Sequence, residues 1–173
     1  MGILFCTYGY ETVFFHLSTI VLGYFYVTLN EWLIHKYILH GLGKKKDSWF
    51  SFHWHNHHKK CRKNNNFDTN YKFIFSSVAV KKEIAGLSIL LLIHLPFLAF
   101  IPLFYLTLLF MAYRYFYVHR KSHLEPSWAK KNIPWHYDHH MGKNQDSNWG
   151  VTTDFWDIVI NTRIKYLRSE EDE

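Results

Sequence analysis

Ten of the thirteen histidines fall into four tight clusters: His35-x4-His40, His53-x3-His57-His58, His119-x3-His123 and His136-x2-His139-His140. Imidazole is the commonest side-chain ligand of transition metals and suits iron, zinc, copper and nickel. One ion takes roughly three to six ligands, so ten clustered histidines point to two ions sharing one site. Histidines that were merely frequent would leave the grouping unexplained.

Spacing supports a common site. At about 100° per residue, helix positions i, i+3 and i+4 lie on one side. His136, His139 and His140 then share a face, as do His119 and His123. His53 and His57 share another, with His58 at its flank, while His55 points the other way and stays outside the ligand set. His35 and His40 stand about 140° apart on an α-helix, which suits flanking a metal centre better than stacking on one ion. The pattern has neither the Glu-x-x-His pairs of carboxylate di-iron bundles nor the Cys pairs of structural zinc.

The elements that must position these clusters are all-α and read as integral-membrane helices. A chain of 173 residues suits a single domain. Residues 1–30 carry one charge, Glu11, and residues 84–113 carry none, whereas the remainder is basic and polar. A soluble domain would mix these classes; their separation reads as membrane spans plus one exposed face. A transmembrane helix is expected over about 12–34, continuing towards His40. It is too long for the apolar region of a signal peptide, and no positive segment precedes it.

The second apolar block is expected to form a helical hairpin over about 82–118. Its first leg is placed near Lys82–Leu95, its turn between Pro96 and Pro102, and its second leg continues to about His123. Histidines on both sides of this block must meet, so the chain crosses an even number of times. The first leg is short for a full crossing, which leaves a re-entrant hairpin open. His94 falls near the far end, away from the metal, as a polar residue by the turn. His16, deep in the first helix, is placed against a neighbouring helix or a substrate channel.

All twenty Lys and Arg residues lie between Lys36 and Lys82 or from Arg114 onwards, on the histidine-bearing side. The positive-inside tendency puts that side in the cytoplasm. Cys6 and Cys61 are then expected to be unpaired, with Cys61 a neutral loop position rather than a ligand. The basic run from His57 to Asn66 resembles a phosphate-binding stretch, but flanking charge beside membrane spans explains it more simply, so no nucleic-acid partner is expected. The acidic segment 169–173 reads as a frayed end.

The histidine segments, in order, resemble the fatty acid hydroxylase/sterol desaturase superfamily of integral-membrane, histidine-box di-iron oxygenases. The resemblance runs over roughly residues 28–164. It is carried by Glu31-Trp-Leu-Ile-His-Lys-Tyr-Ile-Leu-His-Gly41, Phe52-His-Trp-His-Asn-His-His-Lys59, Phe67-Asp-Thr-Asn70, His119-Arg-Lys-Ser-His123 and Trp135-His-Tyr-Asp-His-His-Met-Gly142. Asn148-Trp-Gly-Val-Thr-Thr-Asp-Phe-Trp-Asp157 resembles the closing segment of the family domain. Two departures stand out. The second box has three residues before its His pair where many members have two, and Ile160-Asn-Thr162 stands where Phe-Gly-Thr is common.

The resemblance implies two non-haem iron ions, for which zinc can substitute in a purified sample. It implies O2-dependent hydroxylation or desaturation of a lipid: fatty acyl, sterol or carotenoid. All ten clustered histidines would be ligands. Metal-bound histidines usually donate their other N–H to an acceptor. Glu31, Asp138, Asp154 and Asp157 are candidates for that role, and Asn148, Thr152 and Thr153 for closing the site. Electrons would come from a separate carrier of cytochrome b5 or ferredoxin type, docking on the basic face. The competing readings are a non-redox membrane metal-handling protein and a zinc-dependent membrane hydrolase. Ligands grouped on one face argue against transport, and ten histidines exceed the three protein ligands usual for catalytic zinc.

Overall fold

A computed structural model describes residues 2–75 and 77–166, and the acidic segment 169–173 lies outside the described residues. Among the described residues the elements are helical. Helix α1 spans Gly2–Leu33 and runs without a break into a π-helical turn, Ile34–Leu42. A second π-helical turn, Phe52–His58, leads into α2, Lys59–Lys63. Then follow α3 (Val78–His94), α4 (Phe97–Phe100), α5 (Pro102–Leu124), α6 (Pro126–Asn132), α7 (Pro134–Met141) and α8 (Phe155–Val159).

The punctuation follows from local chemistry. Pro102, Pro126 and Pro134 each open a helix at its first turn, where the missing N–H costs nothing and φ is already set. Ser77 caps α3 by accepting from the Val80 N–H. The segment expected to turn, Pro96 to Pro102, holds the one-turn helix α4 between α3 and α5. Asn161 has φ 58°, in the left-handed region that favours Gly and tolerates Asn. This is the position where the resembling family commonly has Gly, so the departure keeps the backbone shape.

One stretch, Gly9–Leu42, is long and apolar enough to cross a membrane. Along α1, α3 and α5 the outward residues are bulky and apolar, with Phe14, Leu92, Ile93 and Phe110 all more than 60 % exposed. Contiguous exposed apolar surface of this kind marks a membrane or partner contact. Under the histidine end, Val118, Ala129, Ile133, Tyr137 and Val151 form a small apolar core joining α5, α6, α7 and the loop before α8. That core fixes α7 against α5 and so sets the third and fourth histidine clusters side by side.

Candidate metal centre

All ten clustered histidines are buried, none more than 3 % exposed. They divide into two groups. Ring nitrogens of His35, His40, His53, His58 and His139 lie within 4.8 Å of one another, as do those of His57, His119, His123 and His140. His136 adjoins the second group, its Nε2 3.4 Å from His123 Nε2.

The division differs from the α-helical expectation, and the π-helical turns are the reason. Hydrogen bonding from i to i+5 widens the turn, as in the Gly43 N–H to Ile38 carbonyl bond. Residues five apart then come round to one side. His35 and His40 therefore face one locus instead of flanking it. In the second π turn His53 pairs with His58, Nε2 to Nε2 at 3.2 Å, while His57 turns to the other group. His55 points away and meets the Lys44 carbonyl at 3.0 Å.

The outer ring nitrogens are anchored. Nδ1 of His35 donates to the Trp149 carbonyl, that of His139 to the Ser147 carbonyl and that of His40 to Asp146. In the second group, Nδ1 of His57 faces Asp68 at 3.4 Å, that of His119 faces Glu83 at 2.6 Å and that of His123 faces the Asn66 carbonyl at 3.0 Å. A carbonyl or carboxylate can only accept, so each of these six rings carries a proton on Nδ1 and, in its neutral form, a bare lone pair on Nε2. His58 meets the Gln145 amide at 2.9 Å, a group whose oxygen and nitrogen exchange by a flip.

Three lone pairs thus converge in each group. In the first, His35 Nε2 lies 3.0 Å from His53 Nε2, and His40 and His139 lie 3.0 and 3.2 Å from His58 Nε2. In the second, Nε2 of His57, of His119 and of His140 is buried with no hydrogen-bond partner. A buried polar nitrogen left unpaired costs about 1–3 kcal/mol. Cations at the two loci would remove that cost, so the residues fit a pair of metal ions. Burial pushes His53, His58, His136, His139 and His140 well below the ordinary histidine pKa, and neighbouring histidines push further the same way. The rings are held neutral, as ligands must be.

Several carboxylates expected beside the histidines do other work. Glu31 accepts from the backbone N–H groups of Val151 and Thr152 and from the Thr152 hydroxyl. Asp157, fully buried, accepts from Trp149 N–H, Gly150 N–H, the Trp32 indole and the Thr162 hydroxyl. Both pin the loop 149–152, so Asp157 reaches His35 only through the Trp149 carbonyl. Asp138 and Asp154 pair with Arg163, and Asn148 accepts from the Ile164 N–H. The Thr153 hydroxyl accepts from the Phe155 N–H.

The carboxylates that do meet the histidines, Asp68, Glu83 and Asp146, were not singled out in the sequence. Two left a trace there. Asp68 sits in the Phe67-Asp-Thr-Asn70 stretch, and Glu83 is the last charge before the second apolar block. Burial alone would raise the Asp68 pKa, but hydrogen bonds from His57, Lys60 and the Asn70 N–H hold it below the usual range. Cys61 is not a loop position either. It is buried in α2, its sulfur 3.4 Å from His123 Nδ1 and 3.7 Å from His57 Nδ1, behind the second group.

A cavity of about 490 Å³ opens beside the histidines. His35, His53, His57 and His119 form its inner end, and apolar residues of α1, α3 and α5, among them Val27, Leu87, Leu108 and Met111, form its walls. His94, expected only to mark the turn, lines the opposite end. His16 is half-buried on α1, its ring edge-on to Phe15.

The family described as Fatty acid hydroxylase has a sequence model that matches residues 20–162, most of the chain and every histidine cluster. No curated protein and no solved structure matches.

Proposed function

The chain belongs to the fatty acid hydroxylase family, within the fatty acid hydroxylase/sterol desaturase superfamily, and from that premise we propose a membrane-bound, non-haem di-iron oxygenase that hydroxylates or desaturates a lipid. A single observation carries the reading: two converging sets of outward-anchored imidazoles form the end wall of an apolar cavity. Bound there, the iron pair would supply O2 activation and abstraction of hydrogen from an unactivated C–H bond.

The protein's own part is positional. His35, His40, His53, His58 and His139 would hold one ion, and His57, His119, His123 and His140, with His136 beside them, the other. Glu83 and Asp68 fix the second set by accepting from His119 and His57. Glu83 is held in turn by the Tyr71 hydroxyl at 2.7 Å. The apolar walls exclude water and present a lipid chain to the ligand end. Electrons come from a separate carrier of cytochrome b5 or ferredoxin type, drawn to the basic surface that includes Lys45, Lys46, Lys59 and Lys63.

Iron analysis of the purified protein, followed by incubation with membrane lipids, O2 and such a carrier, tests this. The expected result is about two irons per chain and an O2-dependent oxidised lipid, from three or more ligands per ion. One zinc per chain with hydrolysed lipid, or metal without any O2-dependent product, would overturn it.

A further inference from the structure

The cavity that ends in histidines at one end is polar again at the other. There the Tyr26 hydroxyl, on α1, lies 2.7 Å from His94 Nε2, on α3. Both side chains line the cavity. Among the described hydrogen bonds this is the one that joins α1 to α3. Ionisable groups within a membrane-spanning segment are costly and are retained at functional positions.

The proton positions follow from the partners. His94 Nδ1 lies 2.7 Å from the Leu90 carbonyl, which can only accept, so the ring proton is on Nδ1. Nε2 is then an acceptor and takes the Tyr26 proton. The Tyr26 oxygen is left with free lone pairs and no proton to give. A ligand group arriving here meets an acceptor, so an O–H would be bound and an ether, ester or ketone oxygen would find no donor.

Distance sets the reach. From Glu83, beside His119, to His94 is eleven residues of α3, or about 16 Å of rise. From His35 back to Tyr26 is nine residues along α1 and the start of the π-helical turn that continues it, or about 13 Å. An extended alkyl chain advances roughly 1.25 Å per bond, given a C–C length of about 1.52 Å. The interval therefore matches a chain of about ten to thirteen carbons.

We infer that the Tyr26–His94 pair is a specificity site for the substrate's distal end, and that the substrate is a lipid bearing a hydroxyl group about 13–16 Å from the carbon that is oxidised. The inference rests on the lipid-oxidation reading and names the substrate class for that site. It differs from a simple clasp between helices, which would hold α1 to α3 whatever occupied the cavity.

Competition binding to the purified, metal-loaded protein tests it with three probes: 1-dodecanol, its methyl ether and dodecane, each displacing a fluorescent alkyl ligand. One hydrogen bond gives an expected preference for the alcohol of up to about tenfold. Tyr26→Phe and His94→Leu should abolish that preference. Metal content measured on both variants shows that the fold and the histidine groups survive. If the alcohol preference holds while no probe is oxidised in the presence of O2 and electrons, the oxidation reading fails and this binding site stands. Equal affinity for all three probes in the wild type would overturn the site. So would equal weakening of all three in the variants, which is the signature of a clasp.

Discussion

The two carboxylates nearest the argument, Glu83 and Asp157, act on the histidines in different ways, and amide substitution separates them. Glu83 presents one oxygen to His119 Nδ1 and the other to the Tyr71 hydroxyl. Glu83→Gln keeps an acceptor oxygen and the shape but loses the charge that makes the imidazole a stronger donor to metal. The new amide nitrogen can face the Tyr71 hydroxyl, which turns to accept from it, so metal affinity of the second group should fall about 10–100-fold with little change in unfolding temperature, read by chelator competition. Asp157 instead receives four donors in a fully buried position. The amide nitrogen of Asp157→Asn must confront at least one of them, costing about 1–3 kcal/mol, so its unfolding temperature should drop. Metal loss would then follow from a displaced Trp149 carbonyl behind His35. If Asp157→Asn lowered affinity without lowering stability, the loop-pinning role would be wrong. The ligand types and their clustering were plain in the sequence, but these partners were not. Which carboxylate meets which ring depends on contacts between residues 36 and 106 positions apart, such as Glu83 with His119 and Asp146 with His40.

At the scale of elements, the informative feature is the pair of π-helical turns. Helix length, the hairpin around Pro96 and the proline starts follow from apolar runs and local stereochemistry, which a sequence displays. A π turn has no comparable signature. Reading residues 34–42 at 3.6 per turn put His35 and His40 on diverging faces, whereas i to i+5 bonding brings them together. The x4 spacing of the first cluster is thus matched to a wide turn, and so is His53 with His58 in the second. A register exchange tests this. The double variant Leu39→His, His40→Leu moves the second histidine from i+5 to i+4, a spacing that an ordinary α-helix would favour. In the wide turn Leu39 lines the cavity rather than the first histidine group. The double variant should therefore lose metal from that group, measured as a fall in bound metal per chain. Full retention would show that the segment can act as a regular α-helix.

For the whole molecule, enclosure of the histidine rings ties stability to pH. An unfolded chain protonates histidine near pH 6.5, whereas the buried rings titrate well below that. Below pH 6.5 the unfolded state binds more protons, so stability is fully present above that pH and declines as the pH falls towards the folded values. Each such ring contributes a slope of up to about 1.4 kcal/mol per pH unit. Protons also compete for the metal, so acid titration of the metal-free and loaded proteins should show both losing stability below pH 6.5. A flat profile between pH 6.5 and 5 would mean the rings are not enclosed. The same meeting of clusters constrains topology. Residues 35–58 and 119–140 converge, with α3, α4 and α5 lying between them. Helix α5, at 23 residues, rises about 35 Å, more than the thickness of a hydrocarbon core of about 30 Å, though it lacks the apolar character of Gly9–Leu42; α3, at 17, rises about 25 Å. The expected topology, with the basic segments on the histidine side, predicts that single cysteines at Lys45, Lys59 and Lys131 all label from the cytoplasm with an impermeant thiol reagent. A cysteine at Phe100, 80 % exposed at the hairpin tip, distinguishes the two forms of the hairpin. Labelling from the opposite side means a full crossing, and protection from both sides means a re-entrant loop ending within the lipid. Opposite labelling of Lys59 and Lys131 would break the parity that lets the histidines meet, and the shared metal centre would fall with it.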